Sequence, residues 1–232
     1  MNKKKIIAII PARGGSKGIP KKNIALVAGK PLIQYTIESA KQSKKIDKLV
    51  VSTDSEEIAT IARNLGVEVI KRPTEFARDD SSTMDVINHV LEVVEEKFDM
   101  LAILEPTSPL RKEEDIDNAI SLLLKEYETA DAVISLGEIA LENPFLSKII
   151  KNKFLTPLIK TENKVYQRQQ LQKTYFPYGV IYLSKINTLL ETDTFYQEKT
   201  IPYFIERWQN YEIDDAYDLI VVERIIQYRG EE

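Results

Sequence analysis

Short apolar runs alternate, along the first part of the chain, with longer segments whose apolar residues recur at helical spacing. The runs are rich in β-branched residues and predict buried strands at residues 5–10, 48–53, 67–70, 100–104 and 131–136. The longer segments predict helices at residues 31–43, 54–66, 82–98 and 112–127. Because strands and helices alternate over short connections, we predict an α/β protein with a doubly wound, mainly parallel, Rossmann-like sheet.

The alternation stops at about Gly137 and does not resume until about residue 175. Within this segment, residues 148–159 are predicted to form a hairpin with Asn152 and Lys153 at its turn, although the strongest hairpin dipeptides are absent. No clean helical pattern accompanies the hairpin. The segment is therefore predicted to be a β-rich insertion.

A strand at residues 179–184 and a strongly periodic helix at residues 214–229 follow the insertion. We therefore predict one α/β domain that is interrupted once. The domain comprises residues 1–136 and 176–232, and the inserted arm comprises residues 137–175.

Composition excludes several classes of function. The 232 residues carry 32 Lys and Arg against 36 Asp and Glu, a net charge of −4 that argues against a nucleic-acid partner. The absence of cysteine excludes disulfides, zinc–thiolate sites and cysteine nucleophiles. The first apolar run is too short for a signal peptide, and no run is long enough to span a membrane. We therefore expect a cytoplasmic protein with no membrane partner.

The segment PARGGSKGIPKKN, residues 11–23, follows the first predicted strand and concentrates positive charge on an acidic protein. Ligands of open α/β sheets bind beyond the carboxyl ends of the strands, where this loop must lie. Gly14 and Gly15 let backbone N–H groups face an anion, and Arg13, Lys17 and Lys22 add full charges. The loop matches neither the dinucleotide fingerprint nor the Walker motif. It is predicted to be a different phosphate-binding loop, with a solvated basic loop as the alternative.

Polar residues also follow the next predicted strands. Ser52, Thr53 and Asp54 follow the second strand, and Arg72 follows the third. After the fourth strand the segment LEPTSPLR carries four polar residues around two prolines, Glu105, Thr107, Ser108 and Arg111. The prolines restrict the backbone, as a ligand site requires. Helix capping by Asp54 or Ser55, and a purely structural proline turn, are the alternatives.

Two carboxylates, Glu212 and Asp214, precede the last predicted helix. If residues 212 and 214 alternate on a strand, both face one side, as suits Mg²⁺ bound by carboxylates and phosphate oxygens. The alternative is an acidic first turn of the helix, favoured by the helix dipole. Together with the basic loop and the arginines, this pair predicts a site for a nucleoside triphosphate with Mg²⁺, with Mn²⁺ as the other candidate metal.

Seven segments, in order, resemble the motifs of CMP-sialic acid synthetases (acylneuraminate cytidylyltransferases) of the bacterial nonulosonic acid type. The segments are IPARGGSKGIPKKN, VSTD, KRPTEFARDDSS, LEPTSPLR, QRQQL, PYGVIYL and EIDDAYDL. The resemblance runs from Ile6 to about Leu219, and the combination is specific, although no single motif is.

The resemblance implies that the anomeric hydroxyl of a nine-carbon 2-keto sugar acid attacks the α-phosphorus of CTP. The products are the CMP-sugar and pyrophosphate, and no covalent enzyme intermediate is implied. Such a reaction depends on positioning and charge neutralisation, which agrees with the absence of Cys and of a Ser–His pair.

The resemblance also implies roles for individual residues on the nucleotide side. Arg13 and Lys22 match triphosphate-binding cations, and Lys22 matches the group that stabilises charge on the α-phosphate and on pyrophosphate. With Asp214, these two are the candidate catalytic residues. The nucleotide-binding candidates are Ala12, Arg13, Gly14, Ser16, Lys17, Lys22, Asn23, Arg72, Ser81 and Ser82.

On the sugar side, the resemblance implies that Arg168 reaches the sugar carboxylate in the neighbouring active site of a homodimer. The inserted arm would then serve dimerisation and sugar binding. Asp214 matches a metal-binding aspartate, and Glu212 is its candidate partner. The sugar-binding candidates are Glu105, Thr107, Ser108, Arg168, Gln169, Gln170 and Tyr178.

Three positions depart from patterns found in some members of the family. Glu212 stands where the metal pair has an aspartate, Tyr178 replaces an asparagine, and Glu105 replaces a glutamine. The resemblance implies that the last two lie in the region that faces the sugar, so N-acetylneuraminic acid, legionaminic acid and related nonulosonic acids all remain candidate substrates. A pseudaminic or Kdo-type sugar acid is the nearest alternative, and a non-catalytic nucleotide-binding module is a more distant one.

Overall fold

The computed structural model describes residues 3–139, 141–160 and 170–230. The strands are β1 (Ile6–Pro11), β2 (Leu26–Val27), β3 (Lys30–Pro31), β4 (Lys48–Thr53), β5 (Glu68–Lys71), β6 (Met100–Ile103), β7 (Ala132–Glu138), β8 (Lys148–Lys151), β9 (Phe154–Pro157), β10 (Tyr175–Lys185) and β11 (Thr200–Phe204). The α-helices are α1 (Leu32–Gln42), α2 (Glu56–Asn64), α3 (Thr83–Val93), α4 (Glu113–Lys125), α5 (Ile186–Thr192) and α6 (Ala216–Gly230).

Seven strands form the central sheet in the order β11-β7-β10-β6-β1-β4-β5. β1 pairs in parallel with β4 and β6, β4 pairs in parallel with β5, and β11 pairs in parallel with β7. β10 alone runs antiparallel, between β6 and β7. The predicted doubly wound, mainly parallel α/β sheet is therefore confirmed.

The apolar character of β1 follows from helices on both faces of the sheet. Ile6, Ala8 and Ile10 join a core that includes residues of α1, α2 and α4. Ile7 and Ile9 face the other way, into a core that includes residues of α3 and α5. Each fully buried isoleucine of this kind contributes about 1.5–3 kcal/mol relative to an exposed one. A strand buried on both faces carries no polar alternation.

The main differences from the sequence predictions concern α3, α5 and β11, and the two-residue strands β2 and β3 are not predicted either. α3 ends at Val93 instead of continuing to residue 98, because Val94 takes an extended backbone and buries its side chain in the core. Neither α5 nor β11 is predicted, since α5 is seven residues long and β11 contains Pro202. Proline is tolerated in β11 because this strand lies at the edge of the sheet.

The predicted hairpin is present as the two-stranded sheet of β8 and β9. Asn152 and Lys153 both have positive φ, 48° and 65°, as a two-residue hairpin turn of type I′ requires. That residues 137–175 act as a separate dimerisation arm stays a prediction. Across the described residues, no helix combines the length and apolar character needed to cross a bilayer.

The topology collects four loops at one edge of the sheet. β1, β4, β5 and β6 are parallel, so the segments that follow them leave from the same edge. β10 is antiparallel to β6, which brings its amino-terminal half to this edge as well.

Candidate active site

A cleft of about 300 Å³ opens at this edge of the sheet. Its lining comes from the loop after β1, the segment between β5 and α3, and the segment after β6. The lining residues are Pro11, Arg13, Asn23, Arg72, Phe76, Arg78, Asp79, Ser81, Ser82, Thr83, Val86, Glu105, Pro106 and Thr107. The cleft therefore unites seven of the site residues predicted from the sequence, from three separate parts of the chain.

Hydrogen bonds fix the loop after β1. The Ala12 N–H donates to the Ser52 carbonyl at 3.0 Å, and the Asn23 side-chain amide donates to the Arg13 carbonyl at 2.9 Å. The Gly14 N–H donates to Asp54 Oδ1 of the same chain at 2.8 Å, and its predicted contact with a phosphate stays a prediction. A Cβ on Gly14 would lie 2.9 Å from the Cβ of Ser55, so glycine permits this close approach.

Each of the four cations of this loop faces a carboxylate. Arg13 Nη1 lies 2.7 Å, and Lys17 Nζ 3.1 Å, from oxygens of Asp79. The other two ion pairs are Lys21–Glu57 at 2.7 Å and Lys22–Asp214 at 2.8 Å.

Lys22 differs from the other loop lysines because it begins a short 3-10 helix, Lys22–Ile24. Its side chain is 14% exposed, against 76% for Lys17. The alternative of a solvated basic loop therefore does not describe Lys22. A mostly covered charged side chain is screened less by salt than a surface lysine.

Arg72 forms part of the floor of the cleft and is 5% exposed. Its Nε donates to Ser52 Oγ at 3.2 Å, and its Nη2 donates to the Ser52 carbonyl at 2.7 Å. Burial lowers the pKa of Arg72 to about 10, so the guanidinium stays charged at neutral pH. Arg72 thus supplies a fixed positive charge beneath the cleft.

Ser81 and Ser82 line the cleft, but local hydrogen bonds engage both hydroxyls. Ser81 Oγ accepts from the Arg78 N–H and donates to the Glu75 carbonyl. Ser82 caps α3 in a capping box with Asp85. Their structural role is to shape the wall of the cleft, and their predicted contact with nucleotide stays a prediction.

Glu105 lies where the cleft meets a second cavity of about 290 Å³. Burial raises the pKa of Glu105 to about 7, and the nearby charge of Glu212 acts in the same direction. Gly179 makes room for this side chain, since a Cβ there would lie 2.4 Å from Glu105 Oε2. Thr107 Oγ1 lies 3.4 Å from the same oxygen.

The second cavity is lined largely by aromatic and aliphatic side chains. Its lining residues are Ser82, Thr83, Met84, Ile103, Glu105, Tyr182, Asp193, Thr194, Phe195 and Tyr196. The aromatic members are not among the site residues predicted from the sequence. Phe195 and Tyr196 lie between α5 and β11, neither of which the pattern predicts, so no sequence signal placed them near Glu105.

Arg111 is among the polar residues that follow the fourth predicted strand, and the structure makes it a buried hub, a role that the sequence does not indicate. Its Nη2 donates to the carbonyls of Glu105, at 3.1 Å, and Gly179, at 2.9 Å, and its Nη1 donates to Thr36 Oγ1 at 3.0 Å. Nε donates to the Val180 carbonyl. Arg111 thus joins the segment after β6 to β10 and holds Glu105 and Gly179 in contact.

Glu212 and Asp214 do not alternate on a strand, and that prediction is wrong. The chain from residue 210 to 215 forms no strand, because Ile213 is buried and its N–H donates to the Thr107 carbonyl instead. Glu212 Oε1 accepts hydrogen bonds from Ser108 Oγ and from the Gly179 N–H. Asp214 is 80% exposed and pairs with Lys22.

The remaining predicted residues lie in different surroundings. Ala12 is buried, Ser16 and Tyr178 are half-buried, and Gln170 is exposed. Arg168 and Gln169 lie outside the described residues. Lys22 and Asp214 are outside the lining of the cleft, on the side of the loop where Gly18 contacts the backbone of Asp214. Within the described parts of the chain, no group of three or more His, Cys, Asp or Glu side chains is arranged to hold a metal ion.

Comparison with known proteins places this arrangement in a class and then in a family. A solved structure of CMP:2-keto-3-deoxy-manno-octonic acid synthetase complexed with CTP matches with a TM-score of 0.72 at 17% identity, covering 97% of this chain and 99% of the other. A 4-diphosphocytidyl-2C-methyl-D-erythritol synthase from Anaerococcus prevotii matches with a TM-score of 0.68 at 16% identity, covering 97% and 100%. The fold is thus the Rossmann-like nucleotidyltransferase fold.

Sequence similarity is more specific. A family model described as Cytidylyltransferase matches residues 7–230, so the chain belongs to the cytidylyltransferase family. The N-acylneuraminate cytidylyltransferase of Escherichia coli O18:K1:H7 is 33% identical over 92% of this chain and 50% of its own length. The CMP-N,N'-diacetyllegionaminic acid synthase of Legionella pneumophila is 33% identical over 98% of both chains. This chain therefore spans about half the length of the first relative and nearly all of the second.

Proposed function

We propose that this protein transfers CMP from CTP to the anomeric hydroxyl of a nonulosonic acid, a nine-carbon 2-keto sugar acid, with release of pyrophosphate. Membership of the cytidylyltransferase family supports the CTP donor. The two relatives named for N-acylneuraminate and N,N'-diacetyllegionaminic acid support the acceptor. The observation that carries the proposal is the continuous cleft that joins Arg13 and Arg72 to Glu105 at the mouth of an aromatic cavity.

In this reaction the anomeric oxygen forms a bond to the α-phosphorus, its proton leaves, and the bond from phosphorus to pyrophosphate breaks. The protein must align the two substrates and stabilise the charge that grows on the leaving pyrophosphate. Arg13 and Lys22 carry that charge stabilisation in our proposal, and Arg72 adds a fixed charge from below. No protein nucleophile takes part.

The two carboxylates before α6, Glu212 and Asp214, suit the binding of Mg²⁺, with Mn²⁺ as the alternative. Mg²⁺ is commonly held by one or two carboxylates and substrate phosphates, and it keeps several waters. Asp214 offers an exposed carboxylate for this purpose. Glu212 Oε1 accepts two hydrogen bonds, which leaves Oε2 as the oxygen that could reach the ion. The ion would neutralise phosphate charge. Binding of the ion by Asp214 would break the ion pair between Asp214 and Lys22, which would leave Lys22 available to the substrate.

The acceptor sugar occupies the Glu105 side of the cleft in this proposal. Its polar hydroxyl and carboxylate groups would meet the segment after β6, and its apolar acyl substituents would meet the cavity containing Tyr182, Phe195 and Tyr196. Aromatic and aliphatic walls favour an acylated sugar over a fully hydroxylated one. The predicted sugar contacts of Arg168 and Gln169 stay part of the proposal.

We also propose that the protein is a homodimer that contacts its second copy through the β8–β9 hairpin. The hairpin exposes Ile150, Phe154 and Leu155, with 76%, 65% and 75% of each residue accessible. Contiguous exposed apolar side chains of this kind are typical of protein–protein contacts. The cytoplasmic location predicted from the sequence is retained as part of the proposal.

The function is tested by measuring the release of pyrophosphate from CTP, in the presence of Mg²⁺, with each acceptor of a panel. The panel contains N-acetylneuraminic, legionaminic, pseudaminic and Kdo acids. We expect release with at least one acylated nine-carbon acid and the least release with Kdo, which lacks an acyl group for the aromatic cavity. If no acceptor caused release of pyrophosphate, the proposal would be contradicted. A preference for Kdo would contradict the proposed acceptor, a nonulosonic acid, and leave the CTP donor in place.

A further inference from the structure

Asp79 bridges Arg13 and Lys17, the first two cations of the loop after β1. Its carboxylate lies 2.7 Å from Arg13 Nη1 and 3.1 Å from Lys17 Nζ. Hydrogen bonds from Lys17 and Arg13 hold the pKa of Asp79 below its usual range, so the group is charged at neutral pH. Asp79 is also part of the lining of the cleft. A carboxylate thus sits on Arg13 and Lys17, two cations that the sequence predicts to bind the nucleotide.

The shape of the loop does not depend on these ion pairs. The hydrogen bonds of Ala12, Gly14 and Asn23 described above hold its backbone without Asp79. The Asp79 side chain is 51% exposed, and exposed ion pairs contribute little to folding stability. The carboxylate is therefore free to leave Arg13 and Lys17 without disturbing the fold.

We propose that Asp79 is a competing counterion, which exchanges with phosphate groups at Arg13 and Lys17 and thereby promotes the release of pyrophosphate. The inference rests on the proposed function and adds a residue that sets the affinity for the donor and the leaving product. A polyanion held by Arg13, Lys17, Lys22 and Arg72 together would dissociate slowly. A carboxylate that returns to two of these cations favours the departure of the product.

Competition between Asp79 and phosphate groups for Arg13 and Lys17 predicts that Asp79 weakens phosphate binding. Phosphate binding must break two ion pairs and place a polyanion beside the displaced carboxylate, and both effects weaken binding. If each exposed ion pair changes binding by a factor of about three, removal of the carboxylate strengthens pyrophosphate binding about tenfold. A residue that only positioned Arg13 and Lys17 would give the opposite sign, because its removal would leave the cations less ordered.

The test compares Asp79→Asn with Asp80→Asn in the full chain. Both variants remove one negative charge from neighbouring exposed positions, but Asp80 has no ion pair within the described residues and does not line the cleft. Calorimetry measures the affinity for MgCTP and for magnesium pyrophosphate, and steady-state kinetics gives KM, kcat and product inhibition. We expect Asp79→Asn to bind pyrophosphate about tenfold more tightly, with a lower KM for CTP and stronger product inhibition.

Asp80→Asn should stay within about twofold of the wild type, as is usual for surface substitutions. Asp79→Ala should change affinity in the same direction as Asp79→Asn, which excludes an effect of the new amide. Equal or weaker pyrophosphate binding by both Asp79 variants would overturn the inference. If the wild type itself binds neither CTP nor pyrophosphate, the proposed function fails, so the two failures are distinguishable.

Discussion

Among single residues, Lys22 is the least exposed of the four cations in the loop after β1. Its side chain is mostly covered, and its Nζ lies 2.8 Å from Asp214 Oδ1. We expect Lys22→Ala to lower kcat at least about 100-fold, because transition-state charge stabilisation by one preorganised donor is of that size. Steady-state pyrophosphate release measures the effect. Lys21→Ala is the matched control, since its side chain is 62% exposed and pairs with Glu57. Turnover near the wild-type value in Lys22→Ala would remove the residue from the mechanism.

Glu105 gives a prediction for the pH dependence of stability. Its pKa rises from an ordinary 4.5 to about 7 on folding. The folded state therefore binds this proton more tightly, and stability falls as pH rises from about 4.5 to about 7, by at most about 3 kcal/mol. Glu105→Gln removes this loss of stability, because glutamine does not ionise. The melting temperature of the variant should therefore exceed that of the wild type by more at pH 8 than at pH 5. Thermal unfolding without added metal measures both values, and an equal difference at the two pH values would refute the prediction.

At the scale of elements, the contact between β10 and the segment after β6 depends on Gly179. A Cβ at this position would lie 2.4 Å from Glu105 Oε2. We expect Gly179→Ala to displace Glu105 and destabilise the protein by about 1–3 kcal/mol, as overpacking does. Chemical denaturation measures the change. Gly15→Ala is the stability control, because a Cβ there meets nothing within 4 Å. Equal stabilities of the two variants would show that Glu105 is not held by this contact.

The elements that the sequence predicts are those whose burial leaves a local pattern. β1 and β4 are recognisable because helices cover both faces of the sheet, and α3 is recognisable because Ser82 and Asp85 cap it. Arg111 is not recognisable, since three of its four hydrogen bonds go to backbone carbonyls, which no side-chain pattern encodes. The hydrogen bonds of Glu212 likewise depend on partners distant in the sequence, Ser108 and Gly179.

At the scale of the whole molecule, the exposed hairpin predicts the oligomeric state. We expect sedimentation velocity at micromolar concentration to give a dimer, and Leu155→Lys to give a monomer, because a buried lysine at the contact is unfavourable. Tyr217→Lys on α6 is the control, since Tyr217 is also exposed, at 79%, but lies outside the hairpin. If only Tyr217→Lys were monomeric, the dimer contact would lie at α6 and not at the hairpin. A monomeric wild type would contradict the proposed dimer.

The proposed function requires that the cleft bring a CTP donor and a sugar-acid acceptor together for CMP transfer. The most direct measurement is the fate of the α-phosphate of CTP, followed with a radioactive label in the presence of Mg²⁺ and an acylated nonulosonic acid. We predict that the label appears in a CMP-sugar of the expected mass, with one pyrophosphate released for each. Label that stays in CTP, or that appears only in free CMP, would contradict the account.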